Sequence, residues 1–329
     1  MKKSLLITAA LFCGTWAFAQ QEFQPSQYLQ NPYIINPAAA GLTDYVDINL
    51  GVRNQWTGFD GAPQTYYVTG TSLLGKGGMG SNKMFALRIS DPYISLEGNE
   101  KTLDQSGKRK LRHALGASLM VDQAGAFRKN IGGLSYAVHI PLSSKLNLSA
   151  GVKATLNNFV FDQNRATFLN SDATVTNYIN SNTSTNFLDA NFGLMLYGDK
   201  LFVGYSNENL FQSQIKFGDI TTNSNEVMHH FITAGYRFEL SENVGLTPAT
   251  LIKLTKGAPA SADITAKVDF QRKLWFGATV RPQDAVVGFL GARIGNFINV
   301  GYSYDFTTSE LSNVSNGTHE FVINFMLGK

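Results

Sequence analysis

Residues 144–158 alternate apolar and polar side chains. Leu146, Leu148, Ala150, Val152, Ala154 and Leu156 fall on one side; Asn147, Ser149, Gly151, Lys153, Thr155 and Asn157 fall on the other. Successive side chains of a strand point to opposite faces, so the stretch predicts a β-strand with one dry and one wet face. It is longer than the ~5–6 residues usual for globular strands and matches the ~9–11 residues that cross a bilayer at a tilt. Residues 188–197, 263–270 and 298–306 repeat the pattern. A soluble β-sandwich would hide the apolar face in its core. The polar faces, however, carry Gly, Asn, Lys and Asp, which suits a crowded wet lumen, and a transmembrane barrel is the favoured reading.

The connections support it. Residues 141–145, 198–200, 241–243, 271–273 and 295–296 are short and polar, whereas 159–186, 207–226 and 307–317 are long. Outer-membrane barrels have short periplasmic turns and longer outer loops. Counting back from the C-terminus places strands near 318–327, 297–306, 284–294, 274–281, 261–271, 243–254, 227–240, 200–206, 187–197, 144–158, 130–140, 111–122, 64–75 and 45–56. That predicts an all-β, up-and-down antiparallel barrel of about fourteen strands over residues 44–329. An even number puts both termini on the periplasmic side. Residues 83–90 look strand-like but would break the parity. They are assigned to a periplasmic insert over 76–110, ending in Lys108, Arg109 and Lys110 and followed by Arg112. The insert reads either as a solvated loop with one small hairpin or as a docking site for a periplasmic partner.

The first residues change the compartment. Lys2 and Lys3, an apolar run over 5–12 and Ala17-Phe18-Ala19 form a secretory signal peptide, assigned to 1–19. Cleavage there removes Cys13, the one cysteine, so disulfide and thiol chemistry are excluded. Residues 20–43 are too proline-rich at their end for regular structure and form a leader, packed in or under the barrel. Charged residues make up 16% of the chain, against a usual ~25%. A net charge of +3 gives no case for nucleic acid. The lipid bilayer is the expected partner of the apolar faces. Tyr45, Trp56, Tyr66, Tyr67, Tyr197, Tyr205, Tyr236, Trp275, Tyr302 and Tyr304 lie towards strand ends; singly each reads as ordinary strand packing, and as a set they read as interfacial girdles.

Catalytic and metal-binding patterns are missing. His113, His139, His229, His230 and His319 lack ligand spacing, and His229 and His230 point to opposite faces of a strand. Gly75-Lys76-Gly77-Gly78-Met79-Gly80 lacks the Gly-Lys-Ser/Thr order of a phosphate loop. No cofactor is expected and an enzyme is disfavoured. The lumen faces carry both signs of charge: Arg53, Lys153, Asp189, Arg237, Glu239, Lys253, Asp263, Lys267, Asp269, Arg281, Arg293, Asp305 and Glu320. Unpaired charges would be costly in a narrow lumen, whereas opposite signs pair across strands. That mixture points to a filled barrel rather than a pore selective for one sign.

Two motif regions carry a resemblance. One is Gln30-Asn31-Pro32, Asn36-Pro37-Ala38-Ala39-Ala40-Gly41, Arg53-Asn54-Gln55-Trp56-Thr57-Gly58-Phe59 and Gly61-Ala62-Pro63. The other is Gly301-Tyr302-Ser303-Tyr304-Asp305 with Gly317-Thr318-His319-Glu320. Together they resemble the PorP/SprF family, outer-membrane proteins of the Bacteroidetes type IX secretion and gliding-motility system. The resemblance implies a fourteen-stranded barrel that serves secretion or surface attachment of cargo bearing a type IX C-terminal signal. It also implies periplasmic and outer-membrane secretion components as partners. Asn31, Pro32, Asn36, Pro37, Gly41, Arg53, Gln55, Trp56, Gly58, Phe59, Gly61, Pro63, Tyr304, Asp305, His319 and Glu320 would be its structural or partner-contact residues. Pro32 and Pro37 would keep the leader from forming a helix. Arg53 would hold a lumen carboxylate or a leader carbonyl. Trp56 and Phe59 would present an apolar patch on the first outer loop, or Trp56 would anchor the interface. An Asn-Pro-Ala run also occurs in fatty-acid-transport channels, which makes an uptake channel the alternative. A soluble secreted β-sandwich adhesin is a third class.

Overall fold

The computed structural model describes residues 23–43, 45–74, 111–143, 146–166, 184–217 and 220–327. The predicted signal peptide (1–19) and the predicted insert (76–110) lie outside the described residues. The first seven strands are β1 (Val46–Asn54), β2 (Gln64–Leu74), β3 (Arg112–Ala124), β4 (Phe127–Pro141), β5 (Leu146–Phe161), β6 (Ser184–Gly198) and β7 (Leu201–Glu208). A separate hairpin, β8 (Gln214–Phe217) and β9 (Ile220–Asn225), stands off the sheet within the following loop. Then come β10 (His229–Tyr236), β11 (Phe238–Ser241), β12 (Val244–Thr255), β13 (Ser261–Phe270) and β14 (Leu274–Arg281). The chain ends with β15 (Ala285–Ile294), β16 (Ile298–Thr307) and β17 (Thr318–Leu327).

Neighbours in the sheet run antiparallel, and β1 pairs with β17 to close it. Strands β10 and β11 are two halves of one crossing, both paired with β12. Pairing stops at Gly235↔Ala249 and resumes at Phe238↔Leu246. Pro248 sits in that gap, and a proline has no N–H to give the ladder. Counted as crossings, the barrel has fourteen strands, as the pattern predicts. The predicted bounds hold to within a few residues.

The barrel is inside out relative to a soluble protein. At mid-strand, Leu134 is 72% exposed and Leu188 65% exposed, while Lys267 and Asp263 are fully buried. Apolar side chains thus form the outer wall and polar ones the interior, as a bilayer requires. Outward tyrosines pair with histidines across strands: Tyr302 with His319 (2.8 Å), Tyr205 with His230 (3.0 Å) and Tyr136 with His113 (2.5 Å). Four of the predicted girdle residues belong elsewhere. Tyr45, Tyr67, Tyr197 and Trp275 are buried. Tyr67 lies across lumenal Gly51, where a Cβ would come within 2.0 Å of the ring. A large ring inside is accommodated by a glycine opposite, a pairing that alternation alone does not reveal.

The interior is filled by the leader. Residues 32–34 and 37–39 form short 3₁₀ turns, each begun by a proline whose missing N–H costs nothing there. Tyr28, Leu29, Tyr33, Ile34, Ile35 and Ala38 form one apolar cluster with lumenal Tyr67, Met195, Tyr197 and Phe202. The even count brings the start of β1 and the end of β17 to one end of the barrel, the turn end. From there the leader reaches back towards the loop end: Ala38 lies beside Ser149, near the start of β5, and Ser26 beside Arg53, near the end of β1. The side reached by the chain's first residue depends on residues 1–22, outside the described ones.

A charge on the outer wall is the simplest check. Leu134→Arg should destabilise the bilayer-embedded protein by about 2–4 kcal/mol, read by urea unfolding in lipid vesicles. A loss below ~0.5 kcal/mol, typical of water-exposed surface sites, would contradict the membrane-facing assignment.

Candidate functional site

Three neighbouring strands bring together residues far apart in sequence. Arg53 on β1 stands opposite Glu320 on β17, and Asp305 on β16 lies diagonal to Glu320. The Arg53 guanidinium donates to Asp305 Oδ2 (2.8 Å) and Glu320 Oε2 (3.1 Å). It also donates to Ser26 Oγ at 2.8 Å. Ser26 Oγ lies 2.8 Å from both Asp305 oxygens, and the Ser26 and Gln27 N–H groups donate to Glu320 at 2.9 and 3.2 Å. The leader thus supplies the hydrogen bonds that a buried ion triad needs. The fork of arginine suits it to hold two carboxylates and a hydroxyl together.

The network extends around the wall. Arg281 Nη1 lies 3.5 Å from Asp305 Oδ2, and Arg281 and Lys253 share Asp263 at 3.1 and 2.8 Å. Lys253 also donates to Gln24 Oε1 at 2.8 Å. With its amide oriented to satisfy both donors, Gln30 accepts from Lys267 Nζ (2.6 Å) and Trp275 Nε1 (2.9 Å). Arg237 pairs with Asp269 at 3.0 Å. Glu239 differs from the prediction. Its side chain is 49% exposed and pairs with Lys200 at the rim.

The Asn-Pro-Ala-Ala-Ala-Gly segment is seated as closely. Asn36 Oδ1 accepts from the Ala38 N–H (2.9 Å), and Asn36 Nδ2 donates to the carbonyls of Leu194 (3.2 Å) and Tyr205 (3.4 Å). A Cβ on Gly193 would come within 2.0 Å of Asn36 Oδ1, and one on Gly151 within 2.6 Å of Pro37 and Ala38 backbone. Ser149 and Ser206 donate to the carbonyls of Ala38 (2.7 Å) and Ile35 (2.6 Å). His139 Nε2 lies 2.8 Å from the Ala40 carbonyl and Nδ1 2.6 Å from the Tyr197 hydroxyl. Because a carbonyl only accepts, Nε2 carries the proton and, in the neutral ring, Nδ1 accepts from Tyr197. Asn31 donates to Thr69 at 3.0 Å. Gly41 has φ +69, and a Cβ there would overlap Ala114.

The remaining motif residues form a seam at the loop end. Gln55 N–H donates to the Pro63 carbonyl (2.8 Å), closing the first loop. Thr57 N–H donates to the Gly317 carbonyl (2.8 Å), and Asn316 N–H donates to the Thr57 carbonyl (2.5 Å). Trp56 N–H donates to Thr318 Oγ1 (3.0 Å), and the Tyr304 hydroxyl donates to the Asn316 carbonyl (2.7 Å). Trp56 has φ 48. For a bulky residue that costs of order 1–3 kcal/mol, sustained by the bonds around it. Gly58 and Gly61 have φ +118 and +81. Trp56 is half-buried against this seam, whereas Phe59 is exposed. The motif residues therefore sort into a leader seat, an ion cluster and a loop seam. His319 lies apart on the outer wall with Tyr302.

Sequence reasoning missed Ser26, Tyr33, His139, Ser149 and Ser206, all of which bind the leader or belong to it. Lumenal glycines opposite the leader were the available signal. No group of three metal-ligating side chains occurs among the described residues.

Arg53→Met would leave Asp305 and Glu320 buried without their cation, and should cost about 3–5 kcal/mol. Arg53→Lys should recover only part, because an ammonium lacks the fork. Chemical unfolding checks both. Gly193→Val should displace Asn36 and expose the leader to added protease, whereas Gly288→Val, with open space around it, should not. Equal cleavage in the two would contradict the close seating.

No curated protein matches the sequence. Among solved structures, Acinetobacter baumannii Omp33 is similar at 10% identity and TM-score 0.46, over 87% of this chain and 100% of that one. The CymD monoaromatic hydrocarbon channel is similar at 11% identity and TM-score 0.46, over 94% and 95%. A Pseudomonas aeruginosa FadL homologue is similar at 10% identity and TM-score 0.44, over 88% and 92%. The family described as type IX secretion system membrane protein PorP/SprF matches residues 17–325. The inward arginine cluster and loop seam are thus features of an outer-membrane barrel, and the chain belongs to the PorP/SprF family of type IX secretion system membrane proteins.

Proposed function

We propose that this barrel is a non-enzymatic outer-membrane component of the type IX secretion system, needed for secretion or surface attachment of a particular cargo protein bearing a C-terminal signal. Family membership supports the system. The observation that carries the non-channel reading is the clamped leader, whose Ser26 is held by Arg53, Asp305 and Glu320. An open diffusion pore would gain nothing from a plug fixed by a buried ion cluster. In this reading both ends of the strand crossing lie in the periplasm, so the turn end and the 76–110 insert meet periplasmic machinery. The loop end then faces outward and meets the cargo.

The loop seam is the proposed contact. Phe59 and Val314 are exposed there, at 38% and 58%, on loops held to each other by backbone hydrogen bonds. Rigid presentation of apolar side chains lowers the entropic cost of binding. Such residues act as anchors when a partner covers them.

Removing the gene should abolish surface display of one cargo while other secreted proteins still reach the surface. Surface proteomics of intact cells reads this directly. Unchanged display of every surface protein would refute the proposal. Phe59→Ser with Val314→Ser should weaken display of the same cargo at least several-fold while the barrel still assembles. Full display with the double variant would move the contact away from the seam.

A further inference from the structure

The outer wall changes character at the loop ends of β4, β5 and β6. Asn130, Asn158 and Asn186 stand side by side in register on the outward face, one on each strand. Arg128, two residues before Asn130 on the same face, donates from Nε to Asn130 Oδ1 at 3.1 Å. Asn130 Nδ2 then donates to Asn158 Oδ1 (3.0 Å), and Asn158 Nδ2 to Asn186 Oδ1 (2.8 Å). A guanidinium can only donate, so Arg128 fixes the direction of every amide in the row. What is left over is donors. Among the described residues, the second N–H of Asn130 and of Asn158, both N–H bonds of Asn186 and the two η nitrogens of Arg128 have no partner. Arg165 is held by neighbouring Gln123 and matched by Asp162 at 3.5 Å, so these groups together keep the one net positive charge of Arg128.

Towards the turn end the wall becomes apolar at once. Two residues along each strand from the amides come Gly132, Leu156 and Leu188. Leu119, Gly132 and Leu156 share one register row, and the two leucines are 63% and 55% exposed. A Cβ on Gly132 would meet nothing nearer than Leu119 Cδ2 at 3.6 Å. A furrow floored by glycine and walled by leucines therefore starts beneath the amides. It divides around Leu134, passing over Ala117 on one side and Ala154 on the other. Neighbouring strands lie ~4.8 Å apart, so the gap left by one missing side chain takes one hydrocarbon chain.

We propose that this face of the barrel binds a phosphorylated glycolipid of the surrounding leaflet. Its phosphate would sit at Arg128, its sugar oxygens along the asparagine row, and an acyl chain in the furrow. A guanidinium fork suits phosphate oxygens. A row of amide donors suits the several hydroxyl oxygens that a sugar presents side by side. A simple phosphodiester headgroup would use the arginine and leave most of the row unmet. Which leaflet supplies the lipid rests on the reading above that the loop end faces outward.

The test uses the purified full-length protein in detergent micelles, with retained lipid counted by native mass spectrometry. Lipid A bearing one phosphate should be retained at one molecule per chain, and the same lipid without phosphate about tenfold less well. Phosphatidylglycerol should be retained less than the phosphorylated glycolipid, and inorganic phosphate should not displace it. These comparisons use the unaltered chain and stand even where a variant misfolds. Arg128→Gln keeps a donor for Asn130 but removes the charge. It should lower retention of the phosphorylated lipid to that of the phosphate-free one. Gly132→Leu should lower retention by filling the furrow. Lys256→Gln, at an exposed cation on the turn between β12 and β13, should change nothing. Equal retention with and without phosphate, a preference for phosphatidylglycerol, displacement by phosphate alone, or full retention in both the 128 and 132 variants would overturn the proposal. Retention is read without cargo, so its failure and that of the display experiment are separate results.

Discussion

The guanidinium of Arg53 is where the structure closes. It joins the first strand to the last two through Glu320 and Asp305, and it holds the leader through Ser26. A barrel with an apolar outside has to put its polar groups inside, and a narrow interior cannot hydrate them as bulk water would. Each lumenal charge then needs a partner, and each gap needs a side chain. The leader meets both needs: its backbone N–H groups complete the carboxylates' hydrogen bonds, and its apolar residues fill the space. Seam, plug and ion cluster are one construction.

That construction explains why the distinctive residues sit at opposite ends of the sequence. An up-and-down barrel brings its first and last strands together. Arg53, Trp56 and Gly58 must therefore match Asp305, Glu320 and the 316–318 segment across a single seam. The same seam sets the shape of two loops on one rim, so a contact surface there inherits the rigidity of the buried cluster beneath.

The barrel was legible because membrane strands are long and their two faces differ strongly. Leu146 to Leu156 on one side and Lys153 and Asn157 on the other left little ambiguity. Pairing among the lumenal charges could also be foreseen from their mixed signs. The specific partners could not, because Arg53, Asp305 and Ser26 are brought together by closure and by a leader without periodicity. Ring type misled where phase did not: Trp275 shares the lumenal face of Arg281, and Tyr302 lies on the face opposite lumenal Asp305, yet both read as girdle rings. In a strand the choice between inward and outward turns on one residue of register and on a glycine across the way. Pro248 lies within the predicted strand 243–254, and what accommodates it, the facing gap beside Arg237, becomes visible only in the pairing.

The central claim is that the leader closes the barrel, and single-molecule electrical recording of the purified full-length protein in planar lipid bilayers tests it most directly. A plug fixed by buried ion pairs predicts a silent baseline after insertion. Steady conductance from the unaltered chain would mean that the lumen is open and would contradict the account.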